Sequence, residues 1–262
     1  MKIIPLSEGA FTIDKTKLFV PFDTEKDDLQ RRSTGSLLVE VQPFAVISSE
    51  DILLLDTGLG FEKDGMLQIH LNLLNAGIDP SRVTKVLMSH LHKDHAGGIG
   101  KAGSSGSVAT TAGSSGPTSG NAGSRELAFP NATYYIQRKE LEYAFEKGSP
   151  SYLTEELVCL RDSPQVVLLD GDGVLDGYIK YEMTGAHCPY HQIFRIVDGG
   201  EKIFFGGDVA PQLQQMKNRF VAKYDYDGKK CMELRQQWWI EGKEGGWTFL
   251  FYHDIGTPVY SF

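Results

Sequence analysis

The chain has 262 residues, of which 41% are hydrophobic and 23% charged, and these values are ordinary for a globular protein. Its formal net charge of −8 excludes a broad basic surface of the kind that binds nucleic acid or anionic membranes. The length allows one large α/β domain or two small ones.

The first half of the chain predicts a β-rich start followed by strands and helices in turn. Residues 36–47 and 51–58 are apolar, β-rich runs separated by Ser-Ser-Glu, which indicates a hairpin. The elements predicted after the hairpin are, in order, a helix at 65–77, a buried strand at 83–89, a strand at 132–137 and a helix at 138–148.

The second half repeats this pattern with several short apolar runs at close spacing. The predicted elements are strands at 165–170, 178–185, 191–199 and 202–208, a helix at 228–245 and a last strand at 247–254. Strands and helices in both halves favour two β-sheets packed together with helices outside. We expect one domain over residues 1–262.

Residues 102–124 have a different composition from the rest of the chain. They contain no charged or aromatic residue and consist mostly of Gly, Ser, Ala and Thr. Such a segment cannot bury a core, so we predict a flexible loop. The composition is more typical of an inserted linker than of a substrate-binding lid, and a mobile flap over the site is the alternative.

Targeting signals and cysteine usage favour the cytoplasm. Residues 1–19 are interrupted by Pro, Gly and charged residues and lack the apolar core of a secretory signal. No run of apolar residues approaches the length of a membrane span. The three cysteines are scattered and form no CxxC pair, which argues against a disulfide framework.

The most informative stretch is MSHLHKDHAGG at 88–98, which places three histidines and an aspartate within six positions. In an extended segment alternate side chains share a face, so His90 and His92 point the same way. Asp94 suits the start of a following helix, and His95, one residue on, faces a different direction. This spacing supplies two neighbouring metal positions from one turn.

The HLHKDH run resembles the HxHxDH signature of the metallo-β-lactamase superfamily. That family needs a histidine, a bridging aspartate and a last histidine further along, each just beyond a strand. His187, Asp208 and His253 follow predicted strands in that order. The LLLDTG run, which contains Asp56, resembles the family's Asp-Thr-Gly turn. Five of the seven histidines thus fall at expected ligand positions.

The resemblance implies an α/β fold, an αββα sandwich of two mixed β-sheets flanked by helices, with two divalent metal ions at one edge. Zinc is the first choice, and iron or manganese are alternatives because imidazole and carboxylate ligands suit all three. The ligand sets it implies are His90, His92 and His187 for the first metal, Asp94, His95 and His253 for the second, and Asp208 as the bridge. Asp56 and His191 would support these ligands without binding metal.

The chemistry expected of such a site is hydrolysis. A zinc-bound water has a pKa of about 7, which makes hydroxide available at neutral pH. A hydroxide that bridges two metals can attack a carbonyl carbon or a phosphorus, and Asp94 or a water could deliver a proton to the departing oxygen. The sequence therefore predicts a dinuclear-metal-dependent hydrolase that needs no serine or cysteine nucleophile.

Two further segments resemble one branch of the superfamily. FPNATYYIQRKELEYA at 129–144 and AKYDYDGKKCMELRQ at 222–236 are similar to the N-acyl homoserine lactonase and methyl parathion hydrolase-like branch. Lactonases of that branch often place a tyrosine shortly after the bridging aspartate, whereas this chain has Pro211 there. The expected partner is a small-molecule lactone, ester or phosphoester. A homodimer is a further expectation, because members of this branch are often dimers.

Three alternatives stay open. One is a thioester hydrolase on the same fold, and another is a dioxygenase with a single iron. Retention of the full second set of ligands speaks against the dioxygenase. The third is a catalytically silent metal-binding scaffold, in which the changed loop at 102–124 has removed substrate affinity.

Overall fold

The computed structural model describes residues 1–102 and 125–262. The loop predicted at 102–124 therefore lies outside the described residues, except for Ala102 at the end of a short strand. The strands are β1 Lys2–Pro5, β2 Gly9–Ile13, β3 Phe19–Pro21, β4 Leu37–Val41, β5 Phe44–Ile47, β6 Ile52–Leu55, β7 Glu62–Lys63, β8 Met66–Leu67, β9 Lys85–Leu87, β10 Gly100–Ala102, β11 Arg125–Leu127, β12 Thr133–Gln137, β13 Val166–Leu169, β14 Gly173–Leu175, β15 Ile179–Met183, β16 Gln192–Asp198, β17 Glu201–Phe205, β18 Thr248–Leu250 and β19 Val259–Ser261. The α-helices are α1 Gln68–Asn75, α2 Lys93–Ala96, α3 Arg138–Lys147, α4 Thr154–Leu157, α5 Leu213–Lys217 and α6 Gly228–Gly245.

The first large sheet has the strand order β1-β5-β6-β9-β12-β13. The neighbours from β1 to β6 are antiparallel, and those from β6 to β13 are parallel. Leu53, Leu54 and Leu55 of β6 are all fully buried, because Leu54 packs on the helical side and its two neighbours pack on the opposite side. The central strand β9 ends just before the histidine-rich segment.

The second large sheet has the strand order β14-β15-β16-β17-β18-β19. Its neighbours are antiparallel except β17 and β18, which are parallel and connected through α6. Parallel strands end at the same edge of a sheet. The residues that follow β17 and β18, which include Asp208 and His253, are therefore brought to one edge.

The two large sheets pack face to face. Phe44 of β5 and Phe205 of β17 lie in the shared core, with ring centroids 6.1 Å apart. Leu73 of α1 and Leu141 of α3 pack on the outer face of the first sheet, and Trp238 of α6 packs on the outer face of the second. This arrangement confirms the predicted αββα sandwich. The shared core supports organisation as one domain, which stays a prediction.

Several element boundaries differ from those predicted from the sequence. The hairpin is formed by β5 and β6, but the run at 36–47 is two strands, and β4 pairs with β2 in a separate sheet of order β3-β2-β4. Pro43 lies at the break, where it lacks the N–H that a continuous strand would need. The helix predicted at 65–77 starts later, because Met66–Leu67 pairs with β7. The last predicted strand is shorter, since only Thr248–Leu250 pairs in the sheet.

Membrane insertion was not expected from the sequence. Among the helices of residues 1–102 and 125–262, none combines the length and the apolar character that crossing a membrane requires.

Candidate metal centre

The sequence-predicted ligands lie beyond the ends of strands, where the two sheets meet. His90 and His92 follow β9 in extended backbone, and the short helix α2 then carries Asp94 and His95. The remaining three come from the second sheet, with His187 between β15 and β16, Asp208 after β17 and His253 after β18. Residues more than 100 positions apart in the chain are thereby brought together.

The first group consists of His90, His92, His187 and Asp208, whose potential ligand atoms all lie within 4.8 Å of one another. Nε2 of His90 is 2.9 Å from Nδ1 of His92, and Nε2 of His187 is 3.1 Å from the same atom. Two ligands of one tetrahedral zinc, each 2.0–2.1 Å from it, lie about 3.3 Å apart. The spacing of these nitrogens therefore suits one metal ion.

The second group consists of Asp94, His95 and His253, again with ligand atoms within 4.8 Å of one another. Oδ2 of Asp94 is 3.5 Å from Nε2 of His253 and 3.7 Å from Nε2 of His95. Asp208 lies between the groups. Its Oδ1 is 3.0 Å from Nε2 of both His95 and His253, and its Oδ2 is 3.2 Å from Nε2 of His187. One carboxylate thus faces both groups, which is the position of a bridge.

The residues fit a pair of divalent cations. Nε2 of His95 and Oδ1 of Asp208 are buried and have no hydrogen-bond partner among the described residues. Leaving such atoms without a partner is costly in a protein interior, and a metal ion would satisfy both. The donors are imidazole nitrogens and carboxylate oxygens without thiolate, a set compatible with zinc, iron or manganese.

The electrostatics of the centre also suit cations. Burial, together with neighbouring histidines, holds the pKa of His90 and of His92 well below the usual value, so both rings are neutral and free to donate a lone pair. Burial alone would raise the pKa of Asp208, but His253, His95 and a third histidine hold it well below its usual value. Asp208 is therefore a carboxylate, and positive charge beside it is favoured.

Asp56 lies directly behind His95. Its buried carboxylate accepts hydrogen bonds from the Ser89 N–H at 2.7 Å and the Ser89 hydroxyl at 2.6 Å, and it lies 2.8 Å from Nδ1 of His95. A proton on Nδ1 leaves Nε2 as the atom that faces Asp208. The backbone of Asp56 has a φ of 57°, in the left-handed region, as the tight Asp-Thr-Gly turn requires. The supporting role of Asp56 stays a prediction.

His191 is fully buried and belongs to neither group. Its Nδ1 lies 3.1 Å from the Thr184 hydroxyl, and its ring centroid lies 5.1 Å from that of His90. It thus packs beside His90 of the first group, and its supporting role stays a prediction.

Asp225 contacts the centre but was not predicted from the sequence. Its side chain is 1% exposed, and its Oδ1 lies 2.8 Å from Nδ1 of His187. The following residues fasten the same turn, because the Tyr226 N–H donates to the His187 carbonyl and the Asp227 N–H donates to the Ala186 carbonyl. In the sequence, the YDYD run at 224–227 was part of the segment that resembles the lactonase-like branch, and no role was predicted for Asp225. Asp227 of the same run caps α6.

Replacing Asp225 by alanine is expected to weaken metal binding about 10- to 100-fold, because His187 loses the carboxylate that orients its ring. Competition with a chromophoric zinc chelator measures this affinity. The zinc affinity of Asp225→Asn should lie between those of the wild type and Asp225→Ala, since the amide oxygen of the introduced side chain still accepts a hydrogen bond from Nδ1 of His187. Unchanged affinity in Asp225→Ala, with the fold intact by circular dichroism, would contradict this role.

Glu140 is a second buried acid that the sequence did not single out. Its Oε1 accepts from the Leu91 N–H at 3.1 Å and from the Tyr152 hydroxyl at 3.2 Å, and its Oε2 accepts from the Cys188 thiol at 3.3 Å. Burial raises its pKa. Leu91 lies between two of the predicted ligands and Cys188 follows a third, His187, so α3 is linked to both loops that carry them.

Comparison with known proteins places this geometry in a family. The sequence profile described as Metallo-beta-lactamase superfamily matches residues 39–253. Among curated proteins, the N-acyl homoserine lactonase AttM of Azorhizobium caulinodans is 30% identical over 131 residues, which cover 46% of this chain and 38% of that protein. The match thus spans less than half the length of that relative.

Solved structures extend the likeness to the whole chain. A probable metal-dependent hydrolase from Staphylococcus aureus has a TM-score of 0.76 at 21% identity, covering 99% of this chain and 91% of the other. AidC, described as a dizinc quorum-quenching lactonase in complex with a product, has a TM-score of 0.69 at 16% identity, covering 98% and 88%. At these identities the likeness is one of fold.

Proposed function

The chain belongs to the metallo-beta-lactamase superfamily, and from this membership we propose that it is a metal-dependent hydrolase of lactones, esters or phosphoesters. The observation that carries the proposal is the position of Asp208, with one oxygen facing each histidine group. Two divalent ions, zinc by first choice, would be held by the two groups around it. Relatives named as lactonases favour a lactone among the three substrate classes.

A bound metal pair would supply Lewis acidity and hydroxide at neutral pH. The protein residues hold and orient this centre. Asp208 counters positive charge from both sides, while Asp56 and Asp225 fix which nitrogen of His95 and His187 faces inward. The burial of these groups excludes bulk water and strengthens each electrostatic contact.

Asp94 is the proposed proton donor to the departing oxygen. Its side chain is 12% exposed, so part of the carboxyl stays accessible from solvent. Its backbone carbonyl accepts from the buried Tyr252 hydroxyl at 2.6 Å, which fixes the first turn of α2. A carboxyl held at the edge of the centre can pass a proton to a leaving alkoxide over a short distance.

The remaining predictions form part of the same proposal. The partner is a small molecule, and no nucleic acid or membrane partner is proposed. A cytoplasmic location and a homodimer stay predictions. A thioester hydrolase, a single-iron dioxygenase and a silent metal-binding scaffold are the competing functions. Metal content separates the dioxygenase from the hydrolase, and hydrolytic activity separates the scaffold from it.

The test has two parts, both on protein purified without added metal. Mass spectrometry measures the metal content per chain, and activity assays measure hydrolysis of lactones, esters, thioesters and phosphotriesters. Two equivalents of zinc or manganese are expected, and a chelator should abolish hydrolysis until zinc is restored. One equivalent of iron would overturn the hydrolase in favour of oxygen chemistry. A folded protein without metal would overturn the metal-dependent hydrolase, and two metals without hydrolysis of any of these substrates would favour the silent metal-binding scaffold.

A further inference from the structure

Four of the five predicted ligand histidines have a polar partner on the ring nitrogen that faces away from the centre. The partners are the Ser89 hydroxyl for His90, Asp56 for His95, Asp225 for His187 and the Glu40 carbonyl for His253. Contacts of this kind fix the orientation of a metal-binding ring. These four rings are therefore held in place by hydrogen bonds of their own.

His92 is the exception. Its Nδ1 faces His90 and His187, and its other nitrogen, Nε2, has no hydrogen bond among the described residues. The His92 carbonyl accepts from the N–H groups of His95 and Ala96, each at 2.9 Å, so its backbone is fixed. Those bonds leave the ring free to rotate about its side-chain bonds. Another group must therefore hold the His92 ring.

The ring of Tyr152 packs against the ring of His92, with centroids 4.9 Å apart and planes inclined by 56°. Tyr152 is buried, and burial raises its pKa, so the hydroxyl keeps its proton and acts as a donor. A buried hydroxyl needs a partner, and this one donates to Oε1 of Glu140 at 3.2 Å. Glu140 thus fixes the ring that lies against His92.

Glu140 also reaches His92 through the backbone. The same Oε1 accepts from the N–H of Leu91, the residue before His92, at 3.1 Å. The other oxygen accepts from the thiol of Cys188, which follows His187. Glu140 is only 1% exposed, and burying a carboxyl is costly unless hydrogen bonds satisfy it. All three of its donors adjoin or contact a member of the first group.

We propose that Glu140 is the positioning residue of His92: through Tyr152 and the Leu91 N–H it holds the His92 ring with Nδ1 turned towards His90 and His187. This inference rests on the proposed function, because it takes His92 as a metal ligand. Loss of Glu140 should disturb the metal of the first group more than that of the second.

The experiment compares the wild type with three variants. Glu140→Met keeps an unbranched side chain of similar length but leaves the Leu91 N–H and the Tyr152 hydroxyl without their acceptor. Glu140→Gln is the conservative variant, because its amide oxygen can take the place of Oε1. The matched control is Glu142→Gln, an exposed glutamate two positions further along the same helix.

The main readout is the ¹⁵N NMR spectrum of the histidine rings in the zinc-loaded protein. In the structure His92 turns Nδ1 inward, whereas the other four predicted ligand histidines turn Nε2 inward. Couplings to the ring protons distinguish the two nitrogens, so a single ring bound through Nδ1 identifies His92. Competition with a chromophoric chelator measures the affinity for each of the two zinc ions.

The wild type should give one sharp signal from a ring bound through Nδ1. Glu140→Met should broaden or split that signal and weaken binding of one zinc about 10- to 100-fold, because His92 loses its outer support. The other zinc should be held as in the wild type. Glu140→Gln should keep the sharp signal, and Glu142→Gln should match the wild type in both measurements.

Two results would overturn the inference. One is Glu140→Met with the wild-type His92 signal and both zinc affinities unchanged. The other is an equal loss of both zinc ions together with a lower Tm of the metal-free protein, which would indicate packing alone. If Glu140→Met does not fold, Tyr152→Phe, which removes only the hydroxyl that Glu140 binds, takes its place under the same criteria.

A wild type that binds no zinc would refute the proposed function by itself. Crystal structures of the metal-free wild type and of Glu140→Met then decide the positioning role. Displaced rings of Tyr152 and His92 in the variant would support it, and unchanged rings would overturn it.

Discussion

Asp208→Ala is expected to lose the metal pair, and its kcat/KM should fall by at least about 1,000-fold. A catalytic metal centre contributes several kcal/mol of transition-state stabilisation, and each 1.36 kcal/mol corresponds to a tenfold change in rate. Asp208 is the group that faces both sets of ligands, so its removal leaves five imidazoles and one carboxylate to hold two dications. Steady-state kinetics and metal analysis of the same preparation measure both losses.

Two further variants show whether charge or shape is responsible. Asp208→Asn keeps the volume and one acceptor oxygen but removes the charge, and it should hold fewer metals than the wild type while staying folded. Asp170→Asn is the matched control, because this aspartate is 64% exposed and pairs with Arg138 rather than with a predicted ligand. An alanine variant at 208 that keeps two metals and the wild-type rate would refute the bridging role.

The predicted ligand set shows what a sequence can reveal about such a site. His90, His92, Asp94 and His95 are close in the chain, so local backbone geometry alone places them together. His187, Asp208 and His253 are distant, and only their position after predicted strands connected them with the others. The structure brings all seven into two adjacent groups. That they bind metal stays a prediction until metal content is measured.

The supporting residues were not predictable in the same way. Asp225 lies 38 positions from His187, and Glu140 lies 48 positions from Cys188, so neither pair has a local spacing signal. A buried acid in an amphipathic helix or before a helix cap looks like an ordinary surface residue in sequence. The contact of Tyr224 with His187 was not predictable either, because it depends on how the chain returns over the second sheet.

The fold was predictable at the level of layers and less so at the level of pairing. Apolar runs identified β6, β9, β16 and β17, because strands buried on both faces are nearly continuous in apolar residues. The short strands β1 to β3 lack such runs and were not predicted. Their positions depend on pairing of β1 with β5, of β2 with β4 and of β3 with β2, which is a tertiary property.

The glycines of the HAGG run, which ends at Gly98, lie where the end of α2 contacts the Asp-Thr-Gly turn, next to the predicted ligands. Gly97 donates its N–H to the Gly58 carbonyl at 2.9 Å, so the end of α2 lies directly on the turn that contains Asp56. A Cβ added at Gly97 would lie 2.2 Å from the carbonyl oxygen of Leu59. That neighbour is backbone, which cannot move aside as a flexible side chain could.

Gly97→Ala is therefore expected to destabilise the protein by about 3 kcal/mol or more, because the two turns must separate. For a chain of this size the loss corresponds to a fall in Tm of roughly 6–12 °C, measured by circular dichroism or calorimetry on the metal-free protein. The separation also moves His95 away from Asp56, so zinc affinity should fall together with Tm.

The matched control is Gly256→Ala, because the nearest atom to its added Cβ is a side-chain oxygen of Asp254 at 4.0 Å. Its Tm should stay within about 2 °C of the wild type, as expected for a surface substitution. A Gly97→Ala variant with an unchanged Tm would show that the turns relax at little cost. A lowered Tm with unchanged zinc affinity would separate the stability of this contact from the geometry of the metal centre.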